Sequence, residues 1–261
     1  MSTDWGACHF VMPMSLALQF IRITEASSAL ARLASRLSAD EHFRLGALHK
    51  GEDRARFAVV RATLRDVLGR ELGVPPDRVA FEADAQGRPR LAGGGPPDFN
   101  VSHSGHWGLL AYSSDVRVGV DIERLDALAE PRSSWDVCLH AEEQRALLML
   151  SFTLSGHGPR ADEIFHWVWS LKEAIFKALG TGLQDSLTAL SVDVDAVARA
   201  VSAVEGKFDA AMPSATAGCP IPWRADDPAL AEALRGLELR LLPAPPGYSA
   251  ALAWLQQGKI G

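Results

Sequence analysis

The segment 116–123 alternates strictly between apolar and polar side chains. Its apolar positions hold Val116, Val118, Val120 and Ile122, and the positions between them hold Arg117, Gly119, Asp121 and Glu123. Because successive side chains of a β-strand point to opposite faces, this period of two predicts a strand with one buried face. The chain must therefore form a sheet in which this strand covers a core with its valines and presents two carboxylates on its other face.

Helical periodicity is present in other segments. Apolar residues recur at helical spacing over 53–72, where Gly73 and two prolines end the pattern, and again over 162–179. A further helix is predicted over 142–150. Strands are predicted over 10–21, 99–101, 109–113, 190–194, 237–242 and 248–254. Helix followed by strands in each half predicts an α+β fold of two subdomains of similar size that meet near residues 124–135.

The charge balance and the cysteines argue against several classes of partner and site. The 261 residues include 26 Lys and Arg against 32 Asp and Glu, so a charge of −6 gives no overall positive field for nucleic acid or an anionic membrane. Cys8, Cys138 and Cys219 lie far apart, which argues against a disulfide framework or a zinc site. The apolar segment 10–21 is shorter than the ~20 residues of a membrane span. We expect a cytoplasmic protein with no nucleic-acid or membrane partner.

Asp121 and Glu123 share the polar face of the predicted strand. Two carboxylates on one spot are hard oxygen ligands of the kind that Mg²⁺ takes, with waters and substrate phosphates completing its shell. The alternative is an ordinary solvated polar face. The helix over 162–179 adds Glu173 and Lys177, which are neighbours at i, i+4 beside Trp169. One interpretation is a surface ion pair. In the other, Glu173 is a third metal ligand or a base, and Lys177 binds phosphate.

Residues 100–107 are predicted to form a polar turn between strands. Ser102, His103 and Ser104 could offer hydroxyls, an imidazole and backbone N–H groups to a phosphate there. A nucleophilic Ser102 and His103 pair is the alternative, but adjacent residues point apart on a strand. No Gly-x-Ser-x-Gly motif completes a hydrolase site.

Taken together and in order, these motifs resemble the 4′-phosphopantetheinyl transferase family, and specifically its Sfp-type members, the holo-carrier-protein synthases. The resemblance rests on Phe-Asn-Val-Ser-His-Ser at 99–104, Gly-Val-Asp-Ile-Glu at 119–123, and Trp-Ser-Leu-Lys-Glu-Ala at 169–174 continuing to Lys177, Gly180 and Gly182. It implies two pseudo-symmetric α/β subdomains, 1–125 and 126–261, with the active site in the cleft between them. It also implies a transfer of phosphopantetheine from coenzyme A to a carrier-protein serine.

The resemblance implies a role for each matching residue. Asp121, Glu123 and Glu173 would hold Mg²⁺, Glu173 or Glu143 would take the serine proton, and Lys177 would contact the pyrophosphate. The residues implied to contact coenzyme A are Arg44, Arg88, Ser102, His103, Asp121 and Lys177. The chain departs from the family at Asp40 and Glu41, where members can carry lysines.

The resemblance also implies the partners, which are coenzyme A and acyl or peptidyl carrier proteins of polyketide and nonribosomal peptide synthesis. Because both halves of the cleft lie in one chain, a monomer is expected. Two alternatives stay open. One is a family member that binds coenzyme A or a carrier without catalysis, and the other is a Mg²⁺-dependent phosphohydrolase.

Overall fold

The computed structural model describes residues 13, 15–23, 27–126, 134–153, 161–181, 187–211 and 213–256. Cys8, Gly182 and the first part of the strand predicted over 10–21 lie outside these ranges. The strands are β1 (Ala17–Arg22), β2 (Phe81–Ala83), β3 (Pro89–Leu91), β4 (Asp98–Ser104), β5 (Trp107–Ser113), β6 (Val116–Arg124), β7 (Leu190–Val192), β8 (Cys219–Pro220), β9 (Trp223–Ala225), β10 (Leu237–Leu241) and β11 (Tyr248–Gln256). The helices are α1 (Ser27–Ala34), α2 (Ala39–Ala47), α3 (Gly51–Leu72), α4 (Trp135–Cys138), α5 (Ala141–Thr153), α6 (Ala161–Leu179), α7 (Val194–Val204) and α8 (Pro228–Ala233).

Helix α3 confirms the helix predicted over 53–72. Its acidic first turn, Glu52 and Asp53, suits the positive end of the helix dipole. Gly73 ends it in the left-handed conformation, with φ of 67°, which a residue without a Cβ adopts at little cost.

Two antiparallel sheets form the body of the fold. The first has the strand order β1-β5-β4, and the second has the order β6-β11-β10-β8. Two further sheets have two antiparallel strands each, β2-β3 and β7-β9. The predicted α+β fold is confirmed.

The two sheets share a hydrophobic core. One buried cluster draws on β1 and β5 of the first sheet and on β6 and β11 of the second. Its fully buried members include Leu109, Ala111, Val118, Val120, Leu252 and Trp254. The apolar face predicted for 116–123 is confirmed by this packing, and the two halves are joined rather than independent.

Strand β6 belongs to the second sheet. It pairs with β11 along its length, from Val116 opposite Gln256 to Arg124 opposite Tyr248. The sequence placed residues 116–125 in the first subdomain, whereas β6 pairs with a strand near the end of the chain. Alternation identifies a strand but carries no information about a partner more than a hundred residues away.

Helix α6 packs across β6 and β11. A Cβ at Gly119 would lie 2.1 Å from the carbonyl oxygen of Ala174 and 2.3 Å from the amide nitrogen of Ala178, so only glycine permits this approach. The sequence predicted a polar side for this helix at Trp169, Glu173 and Lys177. That side is also largely covered: Glu173 is 8% exposed, Lys177 bonds to Asp121 of β6, and Trp169 packs against the hydrophobic cluster around α6.

None of the helices in the described ranges combines the length and the apolar character that crossing a membrane requires.

Candidate functional site

Strand β4 contacts β6 through side chains. Alternate β4 residues point at the edge of β6 that β11 leaves unpaired, and these are Asp98, Asn100, Ser102 and Ser104. Asp98 accepts a hydrogen bond from the amide of Val118 at 2.8 Å, and Asn100 accepts one from Val120 at 2.9 Å. Ser104 accepts one from the amide of Arg124 at 3.2 Å. Strand β4 pairs with β5 as far as Ser104 opposite Trp107, so the polar turn predicted over 100–107 is wrong for 100–104 and for Trp107.

Asp121, Ser102 and Lys177 form a triangle at this contact. Lys177 Nζ lies 2.6 Å from Asp121 Oδ1, Ser102 Oγ donates to the same oxygen at 2.8 Å, and Lys177 donates to Ser102 Oγ at 3.1 Å. Asp121 is 1% exposed. Its second oxygen, Oδ2, is buried and has no hydrogen-bond partner in the part of the chain that the structure describes. A buried carboxylate oxygen without a partner is costly unless a cation or donor reaches it.

Glu173 and Glu123 lie within electrostatic reach of Asp121. Lys177 Nζ is 3.9 Å from Glu173 Oε2. Burial raises the pKa of Glu173 to about 7; the charges of Asp121 and Glu123 add to the rise, and Lys177 opposes it. Burial, and next the charge of Asp121, also raise the pKa of Glu123. Three carboxylates therefore face one ammonium group.

The donor set fits a hard divalent cation. Across the described ranges, no three His, Cys, Asp or Glu side chains already stand as a complete metal-binding group. Asp121 Oδ2, however, is a buried oxygen without a partner among the described residues, and burial together with the charge of Asp121 raises the pKa of both Glu123 and Glu173 beside it. Carboxylate oxygens in small number are the ligands that Mg²⁺ takes from proteins.

His103 lies on the opposite face of β4 from the two serines, since side chains alternate along a strand. Partial burial lowers the pKa of its imidazole, and the charges of Arg56 and Lys177 act in the same direction. Arg56 on α3 is thus a basic neighbour of His103 that the sequence reasoning did not assign to the site.

The structure shows Arg88 and Arg44 with protein partners. Arg88 pairs with both carboxylate oxygens of Asp98 at 2.8 Å and donates to the carbonyl of Val118 at 2.8 Å. Arg44 lies on the exposed side of α2, where its guanidinium carbon is 5.3 Å from the ring centroid of Phe57. Neither contact places these arginines at the carboxylates of Asp121, Glu123 and Glu173.

Glu41, one of the two positions where the family can carry a lysine, is buried here. Its oxygens accept from Arg61 Nε and Arg65 Nε, each at 2.5 Å, and its side chain accepts from the amide of Ser38. This position therefore serves to fix α2 on α3 and supplies no cation.

Glu143 has different partners from those of the carboxylate group. Its side chain is fully buried, and it accepts from Lys172 Nζ at 2.6 Å and from the amides of Val192 and His140, each at 2.8 Å. Burial raises the pKa of Glu143 and lowers the pKa of Lys172. The pair ties α5, α6 and β7 together, and the structure does not bring Glu143 to the carboxylate site.

A polar cavity of about 190 Å³ opens beside the β4-β5 turn. Its lining residues are Ile23, Glu52, Arg56, Ser104, Gly105, His106 and Arg124. Arg56 Nε is buried without a hydrogen-bond partner among the described residues. The sequence placed Arg56 on the helix that the structure shows as α3, but a position on a helix does not indicate which strand the side chain faces.

Two family models match the chain. The model described as "4'-phosphopantetheinyl transferase, N-terminal" matches residues 24–115. The model described as "4'-phosphopantetheinyl transferase superfamily" matches residues 117–215. The two matches meet at the start of β6, where the sheet membership changes.

Curated relatives carry the same name. The 4'-phosphopantetheinyl transferase HetI of Nostoc sp. is 34% identical over 169 residues, which cover 62% of this chain and 68% of that protein. The 4'-phosphopantetheinyl transferase ffp of Bacillus subtilis is 30% identical over 161 residues, with 62% and 68% covered. An L-aminoadipate-semialdehyde dehydrogenase-phosphopantetheinyl transferase of Xenopus laevis is 32% identical over 172 residues, with 60% and 54% covered. The chain thus spans between about half and two thirds of the length of these relatives.

Two sheets joined by side chains across β4 and β6, with an acidic site and a lysine at that contact, define a two-part α+β protein. With the matches to both halves, the chain belongs to the 4′-phosphopantetheinyl transferase family.

Proposed function

We propose that this protein transfers the 4′-phosphopantetheine group of coenzyme A to a serine of an acyl or peptidyl carrier protein, with Mg²⁺ as cofactor, as Sfp-type members do. The observation that carries the proposal is the triangle of Asp121, Ser102 and Lys177, which leaves Asp121 Oδ2 buried without a partner. An unpaired carboxylate oxygen beside a lysine suits a site that takes both a cation and a phosphate.

The proposed reaction breaks one phosphoanhydride bond and forms one phosphodiester. The serine hydroxyl oxygen attacks the β-phosphorus of coenzyme A, and the bond between the two phosphates breaks. The products are the phosphopantetheinylated serine and adenosine 3′,5′-bisphosphate, and the serine proton passes to a base. Positioning and charge stabilisation supply most of the catalysis in such transfers.

Three carboxylates, Asp121, Glu123 and Glu173, would hold Mg²⁺, which when bound supplies positive charge against the pyrophosphate. Lys177 uses two of its three N–H donors on Asp121 and Ser102, and its third N–H remains for the pyrophosphate. Glu173 accepts the serine proton, directly or through a water, since a carboxylate is a suitable general base for a hydroxyl that it reaches. The fully buried Glu143 is left out of this step.

The coenzyme A contacts of Arg44, Arg88, Ser102 and His103 stay predictions, as do the carrier's pathway, the cytoplasmic location and the monomeric state. His103 has the best support of the four, since Arg56 lies near it and a polar cavity lies next to Arg56. We expect His103→Ala to weaken coenzyme A binding more than it slows turnover.

The test incubates the protein with coenzyme A, Mg²⁺ and an apo carrier protein and follows three quantities: carrier mass, adenosine 3′,5′-bisphosphate and coenzyme A binding. Transfer predicts a carrier mass increase that EDTA abolishes, with one nucleotide released for each carrier modified. Coenzyme A binding without a mass change would favour a binding protein. Nucleotide release without a carrier would favour a phosphohydrolase.

A further inference from the structure

We infer that Ser102 and Ser104 of β4 are positioning residues that hold the carboxylates of Asp121 and Glu123 in the orientation that a divalent cation requires. The inference rests on the proposed cation site and goes beyond it. It gives the two serines of the Ser-His-Ser motif a role on a protein group rather than on a phosphate.

The hydroxyl of Ser102 is already committed within the protein. It donates to Asp121 Oδ1 at 2.8 Å and accepts from Lys177 Nζ at 3.1 Å. Ser102 is only 7% exposed. A serine hydroxyl has one donor, and that donor is used, so a ligand phosphate cannot receive it without the loss of the contact to Asp121.

The same contact decides which oxygen of Asp121 stays available. Ser102 and Lys177 both bind Oδ1, and this fixes the rotation of the carboxylate. Oδ2 then remains as the buried oxygen without a partner among the described residues. Hydrogen bonds of this kind, made to a metal ligand from outside the metal shell, orient it and raise metal affinity.

Ser104 acts on the second carboxylate in the same way. The side chain of Ser104 hydrogen-bonds to Glu123, and its hydroxyl oxygen accepts from the amide of Arg124 at 3.2 Å. Because Ser102 and Ser104 are two residues apart on β4, and Asp121 and Glu123 are two residues apart on β6, the two pairs match in register.

The contacts on either side hold that register. Asp98 and Asn100 bind the amides of Val118 and Val120, and the amide of Arg124 binds Ser104. A shift of β4 along β6 would break these contacts together. The serines therefore occupy fixed positions opposite the two carboxylates.

The test titrates the full chain with Mn²⁺ in the absence of substrate. Mn²⁺ replaces Mg²⁺ because it is paramagnetic, so its binding can be followed by electron paramagnetic resonance. Ser102→Ala is expected to raise the Mn²⁺ dissociation constant about tenfold or more. Ser102→Thr keeps the hydroxyl and is expected to stay within about twofold of wild type. Ser104→Ala is expected to weaken binding by a smaller factor, because Glu123 is only partly buried.

Ser191→Ala is the matched control. Ser191 is 1% exposed on β7, and its hydroxyl has no hydrogen-bond partner in the described ranges. This variant is expected to bind Mn²⁺ as wild type does. Thermal unfolding of all four variants checks that each is folded at the titration temperature.

The outcomes separate the inference from the proposed function. Unchanged Mn²⁺ affinity in Ser102→Ala, or a loss of coenzyme A affinity alone, would overturn the positioning role and leave the cation site standing. A wild-type protein that binds no Mn²⁺ would contradict the proposed cation site, and the inference with it. Weaker binding in Ser102→Ala that Ser102→Thr restores supports the inference.

Discussion

Lys177 Nζ on α6 lies 2.6 Å from Asp121 Oδ1 on β6. This contact connects the helix that carries Glu173 to the strand that carries Glu123, and it rests on the close approach that Gly119 permits. Because one ammonium faces three carboxylates, the site retains negative charge that a divalent cation would balance.

Replacement of this lysine tests its role in the transfer. Lys177→Met keeps the length of the side chain but removes its charge, and we expect the initial rate of carrier modification to fall by about 10²-fold or more. Lys207→Met, at an exposed lysine far along the chain, is the control and is expected to keep the wild-type rate. A normal rate in Lys177→Met would remove the lysine from the mechanism.

Gly119→Ala tests the packing that forms the site. Its Cβ would meet backbone atoms of α6 at 2.1 and 2.3 Å, so the helix has to move. We expect the free energy of unfolding to fall by about 1–3 kcal/mol or more. We also expect transfer to be about 10²-fold slower, because Glu173 and Lys177 shift with the helix. Urea denaturation and the transfer assay measure the two effects.

Gly46→Ala is the control for that variant. Gly46 lies in α2 with no atom within 4 Å of an added Cβ. Alanine there is expected to leave the protein as stable as wild type, or up to about 1 kcal/mol more stable. If Gly119→Ala behaved like Gly46→Ala, the close approach of α6 to β6 would be wrong.

The fully buried pair of Lys172 and Glu143 predicts a large effect on stability. Lys172→Met would leave the Glu143 carboxylate buried without its cation, which costs about 3–5 kcal/mol. Arg235→Met breaks an exposed pair with Glu232 and is expected to cost less than about 1 kcal/mol. Denaturant unfolding compares the two variants, and similar losses would mean that the Lys172 pair is not desolvated.

The raised pKa of Glu173 predicts a pH dependence of stability in EDTA. Its pKa is about 7 in the folded chain against an ordinary value of 4.5, with Asp121 and Glu123 adding to the effect of burial and Lys177 opposing it. A group with a raised pKa stabilises the folded state at low pH, and that contribution is lost as the pH rises from about 4.5 through about 7.

The comparison with Glu173→Gln isolates this group. We expect wild type to lose stability relative to Glu173→Gln between about pH 5 and pH 8, as measured by denaturant unfolding at each pH. A constant difference between the two proteins across that range would show that Glu173 has an ordinary pKa.

Regular periodicity made part of this molecule predictable. The spacing of apolar residues predicted α3, α6 and β6, and the i, i+2 and i, i+4 relations placed Asp121 with Glu123 and Glu173 with Lys177. Each of these relations lies within one element, where local geometry determines which side chains are neighbours. Helices α1, α2, α4, α7 and α8 were not predicted.

The contacts between elements could not be predicted in this way. In the β4-β6 contact, side chains of β4 accept hydrogen bonds from backbone amides of β6. The sequence of β4 therefore shows the same polar residues that an ordinary turn would show. Glu143 was named only through the family resemblance, and it is the fold that brings Lys172 and Val192 to it. Glu41 likewise became a partner of two arginines through the packing of α2 on α3.

The mass of an apo carrier protein, followed in time with coenzyme A and Mg²⁺, tests the central claim most directly. With wild-type protein the carrier is expected to gain the mass of one phosphopantetheine group, and with Glu173→Gln the gain is expected to be about 10²-fold slower. An unchanged carrier mass with wild-type protein across acyl and peptidyl carriers, or an equal rate with Glu173→Gln, would contradict the account.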